Sequence, residues 1–167
     1  MKARIITVLL LTVVATPVLA TMTLSRAPMQ EVVYLAEVAS LRHQAETGFA
    51  DAQFALGNQY YHGAEEYRLA QSYDNAWDWY LKAARQGHSG AAYNMAVMRI
   101  QGHGVQRDLI EALAWMKVAA SQGHGASKEL IPELESLLKP QQIRAAEDLS
   151  RDLVPAAAYG SSVNSRF

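Results

Sequence analysis

Ala76-Trp77-Asp78-Trp79-Tyr80-Leu81-Lys82-Ala83-Ala84-Arg85-Gln86-Gly87-His88 returns as Ala112-Leu113-Ala114-Trp115-Met116-Lys117-Val118-Ala119-Ala120-Ser121-Gln122-Gly123-His124. The offset is 36 from Ala76 to Ala112 and still 36 from His88 to His124. A fixed period in this range is the mark of stacked repeat units, each of which buries its apolar face against the next. Within one copy, Ala76, Trp79, Tyr80, Ala83 and Ala84 fall at i, i+3, i+4, i+7 and i+8. That spacing draws one apolar stripe along a helix. The paired alanines let a neighbouring helix approach closely, and the Trp needs depth to bury its ring. Asp74 and Asp108 stand before the two stripes as expected N-caps. Gly87 and Gly123 follow them at the expected left-handed C′ position.

A second helix is expected before each stripe. Residues 52–63, AQFALGNQYYHG, align with residues 91–102, AAYNMAVMRIQG, at an offset of 39. The difference between 39 and 36 places three extra residues in the first unit's loop, around Ala64 to Tyr73. Half-units flank the two copies. Pro28 to Glu46 reads as a capping helix, Ser127 to Leu138 as the first helix of a third unit, and Pro140 to Leu153 as its partner. The expected architecture is therefore an all-α, right-handed α-solenoid of stacked helix-turn-helix repeats, with about seven helices over residues 28–153. It divides into a cap helix at 28–47, repeat one at 48–87, repeat two at 88–123 and terminal helices at 124–153.

The ends read differently. Lys2 and Arg4 precede an apolar run from Ile5 to Val14, then Val18-Leu19-Ala20. That order is a secretory signal peptide over 1–20, cleaved after Ala20, which predicts a periplasmic or secreted protein. Membrane contact is expected only through that segment if it is left uncleaved. Residues 21–27 read as a linker and 154–167 as a flexible tail. Without residues 1–20 the chain keeps 13 basic and 16 acidic residues, near −3. It has no basic excess to hold a phosphate backbone, so nucleic acid is an unexpected partner. There is no cysteine, hence no disulfide scaffold and no cysteine lipidation.

The pattern resembles the Sel-one-like repeat (SLR), a relative of the tetratricopeptide repeat, and specifically its small exported bacterial type. The first unit supplies Ala52, Leu56, Gly57, Tyr60, Gly63, Ala76, Trp79, Ala83, Ala84, Gly87 and Ala91. The second supplies Ala91, Met95, Ala96, Gly102, Gly104, Val105, Asp108, Ala112, Trp115, Ala119, Ala120 and Gly123. It departs in four places: unit one lacks the Gly-x-Gly-Val loop, Arg99 replaces a Tyr, Ala96 replaces a Gly, and Pro132 occupies the Gly position of the third unit. A proline there is expected to restrict that helix or start it late.

The resemblance implies an adaptor for assembling protein complexes. Its alternatives are an immunity protein neutralising a periplasmic, type VI-like toxin, and an assembly factor of an envelope machine such as the flagellar motor or polysaccharide secretion. Cysteine-rich relatives described as β-lactamase-like do not carry over to a chain without cysteine. A cell-wall-active enzyme is the remaining alternative. It finds little support, because there is no Gly-x-Ser-x-Gly and no credible Ser, His and Asp arrangement. The five histidines include no His-Glu-x-x-His. No catalytic, metal or small-molecule cofactor site is therefore expected, and His88 and His124 read as turn and cap residues.

The expected partner is another protein. If helix order follows the tetratricopeptide relative, the first helices line a concave groove. The candidate partner-binding residues are Phe54, Asn58, Tyr61 and His62 in unit one and Tyr93, Val97 and Ile100 in unit two. Glu65, Glu66 and Tyr67 of the enlarged loop complete the set. Partly exposed apolar and aromatic side chains of this kind mark protein interfaces.

Overall fold

The computed structural model describes residues 27–64 and 69–154. The proposed signal segment at 1–20, nearly all of the linker, the loop residues Glu65, Glu66 and Tyr67, and the tail from 155 onward lie outside the described residues.

Seven helices are present among the described residues: α1 Ala27–Glu46, α2 Ala50–His62, α3 Tyr73–Arg85, α4 Ser89–Gln101, α5 Leu109–Ser121, α6 Gly125–Ser136 and α7 Pro140–Leu153. None is long and apolar enough to cross a membrane. The chain divides by contact into Met1–Ala39 and Ser40–Phe167. Of the first unit, the described part is the opening of α1. The second unit is the all-α repeat array.

Within that array α2 packs on α3, α3 on α4, and α4 on α5. The core is built from the expected stripes. Ala76, Tyr80, Ala83 and Ala84 of α3 and Ala112, Trp115, Met116 and Ala119 of α5 are buried, joined by Met95, Ala96 and Met98 of α4. Trp115 is enclosed and donates its indole N–H to Glu111 Oε1 at 3.3 Å. Its counterpart Trp79 is half-buried instead. It lies against the smaller cluster of Ala45, Ala52 and Leu56, with the Lys82 ammonium 3.9 Å over its ring.

The repeated Gln-Gly-His turn has a complete physical reading. Gly87 N–H bonds Ala84 O and His88 N–H bonds Ala83 O; Gly123 bonds Ala120 O and His124 bonds Ala119 O. These are Schellman closures, with the glycines at φ 91° and 94°. The Gln side chain then reaches back to an earlier helix: Gln86 Nε2 donates to Gln53 Oε1 of α2, within its own unit, at 2.7 Å, and Gln122 Nε2 to Ala84 O of the preceding unit at 3.4 Å. The His that closes one helix opens the next. His88 Nδ1 accepts from Ala91 N–H at 3.1 Å, and His124 Nδ1 accepts from Ser127 N–H at 3.3 Å. Three residues thus end a helix, tie it to an earlier one and start the next.

Several expectations are corrected. The N-cap of α3 is Ser72, whose hydroxyl accepts from Asn75 N–H at 3.3 Å; Asp74 lies inside the first turn. Asp108 does cap α5, accepting from Ile110 and Glu111 N–H at 2.8 and 3.0 Å. Pro132 neither delays nor ends its helix: α6 runs through it from Gly125 to Ser136. The proline forgoes one i→i−4 bond but is exposed, so water can serve the orphaned carbonyl. Helix α7 is not the hairpin partner of α6 that a third unit would supply. Both α6 and α7 pack chiefly on α5.

Arg99, which stands where the repeat carries Tyr, also acquires a role. It pairs with Glu111 at 2.7 Å, donates to Gln106 O at 3.0 Å and lies 4.9 Å from the centre of the Trp77 ring. One guanidinium therefore holds the second loop, α5 and α3 together.

Candidate functional site

The expected partner-binding side chains occupy the first helix of each unit, and their packing separates them. Phe54 stacks on His88 with ring centres 4.2 Å apart, and Tyr93 stacks on His124 at 4.5 Å. Phe54 and Tyr93 hold the same place in the first helices of successive units, α2 and α4, and each ring rests on the histidine that caps the next first helix. The aromatic row is therefore anchored by the caps, and each member is half-buried. The cap histidines are the residues that sequence reasoning placed in the turn without seeing what they hold.

Asn58 faces inward. Its Oδ1 accepts from the Tyr80 hydroxyl at 2.7 Å and from Asn94 Nδ2 at 3.1 Å, a link across two units. Burial pushes the Tyr80 hydroxyl up to about 12, so it stays a neutral donor throughout the accessible pH range. Burial also lowers the His88 imidazole below its usual value, and the opposing pull of Asp51, at 3.6 Å, is the smaller effect. Asp51 is fully solvated, so the outcome favours a neutral ring able to accept the Ala91 N–H.

At the far end of α2 a second cluster forms. The Tyr61 hydroxyl donates to Gln101 Oε1 at 2.9 Å and lies 2.9 Å from His103 Nδ1. The His103 ring stacks on Tyr73 at 4.5 Å, nearly parallel at 13°. Gln71 Nε2 joins Tyr61 O and the Tyr73 hydroxyl at 2.9 and 3.2 Å. Burial raises the Tyr61 hydroxyl from its ordinary range. Gly104 brings its backbone so close that an added Cβ would lie 2.5 Å from Tyr73 Cβ. Tyr61 thus binds two successive loops together, and exposed His62 stands edge-on beside it with ring centres 5.0 Å apart. The enlarged first loop is closed by paired backbone bonds between Ala64 and Leu69, at 2.9 and 3.0 Å. Leu69 packs into the Ala45, Ala52 and Leu56 cluster. The candidate loop residues Glu65, Glu66 and Tyr67 fall between those anchors, outside the described residues.

Val97 and Ile100 remain half-buried on α4. Ile100 also lines a pocket of about 210 Å³ that the sequence did not reveal. Its walls are Leu109 of α5, Leu130 and Leu134 of α6 and Leu137 just past the end of α6, with Arg107 and Glu133 as its charged members. Leu137 is 66% exposed at its edge. The signal that could have found it is the spacing of the third unit, which has no counterpart of the Gly102–Gln106 loop. Among the described residues no group of three or more His, Cys, Asp or Glu side chains could hold a metal ion.

A family model described as the Sel1 repeat matches residues 50–88 and 89–124. The crystal structure of a protective antigen present in uropathogenic Escherichia coli strains, displaying an SLR fold, is similar at TM-score 0.64 and 30% identity, over 73% of this chain and 25% of that one. A Sel1 repeat protein from Oxalobacter formigenes is similar at TM-score 0.53 and 31% identity, over 66% of this chain and 52% of that one. This chain therefore spans about a quarter of the first structure and about half of the second.

Proposed function

Since the chain belongs to the Sel1-repeat family, we propose that it is a non-enzymatic adaptor that binds another protein along the first helices of its repeats. Sel1-repeat proteins are generally protein-interaction adaptors. The observation that carries the finer reading is the row formed by Phe54 on His88 and Tyr93 on His124, with Val97 beside it. Half-exposed rings that are already fixed lose little conformational freedom when a partner covers them, which is what an efficient interface needs.

The choice of test follows from the packing. Replacing Phe54 or Tyr93 would disturb the cap histidines beneath them, whereas Val97 is half-exposed and carries no hydrogen bond of its own. Val97→Glu should reduce capture of the partner from the producing cell at least tenfold, while Arg85→Ala, on an exposed position of α3, leaves it unchanged. Equal capture by the two variants would exclude this face.

The reading places the adaptor outside the cytoplasm, supported by the charged, apolar and small-residue order of residues 1–20. Amino-terminal sequencing of the protein from the cell envelope or medium should begin at Thr21. Retention of Met1 on protein left in the cytosol would rule export out.

A further inference from the structure

The two halves of the array treat one position differently. Between α4 and α5 the chain makes a seven-residue loop, Gly102 to Asp108; between α6 and α7 it makes only Leu137-Leu138-Lys139. In the first case the loop delivers the His103 ring into the recess walled by Tyr61 and Tyr73, where it stacks and meets a hydroxyl. One unit further along, Tyr61 is replaced by Ile100, Tyr73 by Leu109, Asn94 by Leu130 and Gln101 by Leu137. Those four aliphatic residues line the pocket. The residue in register with His103 is Lys139, but it is spent as the N-cap of α7: its N–H bonds Gln142 Oε1 at 2.9 Å. The recess that the array fills with its own loop at one interface is thus left open at the next, and its lining has changed from polar aromatic to aliphatic.

We propose that this pocket receives a loop of the protein partner, which inserts one apolar ring or branched aliphatic side chain between an acidic and a basic residue. The proposal rests on the adaptor reading and assigns it a second point of attachment. The internal equivalence sets the shape of the occupant: a side chain carried on a turn, entering where His103 enters one unit earlier. The aliphatic walls set its polarity, since a histidine there would find no hydroxyl to bond. The rim sets its flanks. Arg107 and Glu133 are both exposed members of the lining with no ion-pair partner among the described residues. Charge complementarity therefore calls for a carboxylate toward Arg107 and an ammonium or guanidinium toward Glu133. Leu137, exposed at the edge, extends the apolar contact outward.

Cyclic hexapeptides serve as probes. Each carries Phe between Glu and Lys, between two Lys, or, as a control, Ser between Glu and Lys. Methyl resonances of Ile100, Leu109, Leu130 and Leu137 in the intact chain are followed during titration. The Glu-Phe-Lys probe should shift these methyls saturably, and the Ser control should bind at least tenfold more weakly. Leu137→Asp, at an exposed position, should weaken the Phe probe by about tenfold without altering the fold. Arg107→Glu makes both rim charges negative. It should reverse the order of preference, so that the two-Lys probe binds about threefold better than the Glu-Phe-Lys probe, a factor in keeping with exposed ion pairs. Absence of pocket shifts, or equal shifts with Phe and Ser, overturns the proposal. Pocket binding whose charge preference does not move with Arg107→Glu overturns the charged-flank occupant. Because Val97 lies outside the pocket lining, failure here with a Val97-dependent partner leaves the adaptor reading standing. Failure at Val97 with intact probe binding does the converse.

Discussion

Gly57 has no room for a side chain. A Cβ built there would lie 2.6 Å from two ring carbons of Tyr80. In the second unit the corresponding pair is Ala96 and Met116, both buried. A thin flexible side chain there accompanies the methyl group that a rigid ring excludes. Gly57→Ala should therefore destabilise the chain by about 1–2 kcal/mol despite alanine's better helix propensity. The same change in a Tyr80→Met background should cost about 1 kcal/mol less, a coupling that a double-mutant cycle of thermal or denaturant unfolding would measure. Additive effects would mean the ring does not set the glycine. His88 supplies a second residue-scale expectation. Its folded-state imidazole titrates below the unfolded value of about 6.5, because burial disfavours the charged ring. The unfolded chain then binds more protons between the two values, so stability is full above pH of about 6.5 and declines as pH falls below it. His88→Asn retains a capping acceptor and cannot titrate. Its melting temperature should fall less than that of the natural chain between pH 7.5 and 5.

At the scale of the element, helix ends were legible to the extent that their chemistry is local. The Gln-Gly-His turns could be read because a glycine at positive φ and a capping imidazole leave their mark within three residues. The start of α3 misled because Ser72 and Asp74 are both good caps, and only the path of the loop, tied by Ser72 N–H to Tyr60 O at 2.8 Å, decides between them. Asp108→Ala should cost about 1 kcal/mol, the usual value of a lost N-cap, whereas Asp74→Ala should cost only the few tenths due to a charge in the first turn. Equal losses in unfolding experiments would contradict the assignment. The course of α6 through Pro132 was also not legible, since neighbours held by Leu134 and Ser127 on the buried side override local propensity. Restoring the missing N–H with Pro132→Ala should raise stability by about 1–3 kcal/mol, read from the denaturation midpoint.

At the scale of the molecule, periodicity disclosed the number and order of helices but not what happens where it stops. The aromatic row could be listed from sequence, because Phe54 and Tyr93 occupy one register. That Asn58 turns inward to Tyr80 and Asn94 could not, since its partners lie on two other helices. The pocket beside Ile100 escaped notice for a related reason: it arises from a loop that the third unit lacks, and a missing segment leaves no residue to inspect. The proposed adaptor recognises a protein along α2 and α4, where Phe54, Tyr93 and Val97 remain half-exposed. Photocrosslinking in the producing cell tests that directly, with a benzophenone amino acid placed in turn at Val97 and at Arg85. The face reading requires a discrete adduct of one partner at Val97 and none at Arg85. Adducts at both positions alike, or at Arg85 alone, would contradict it.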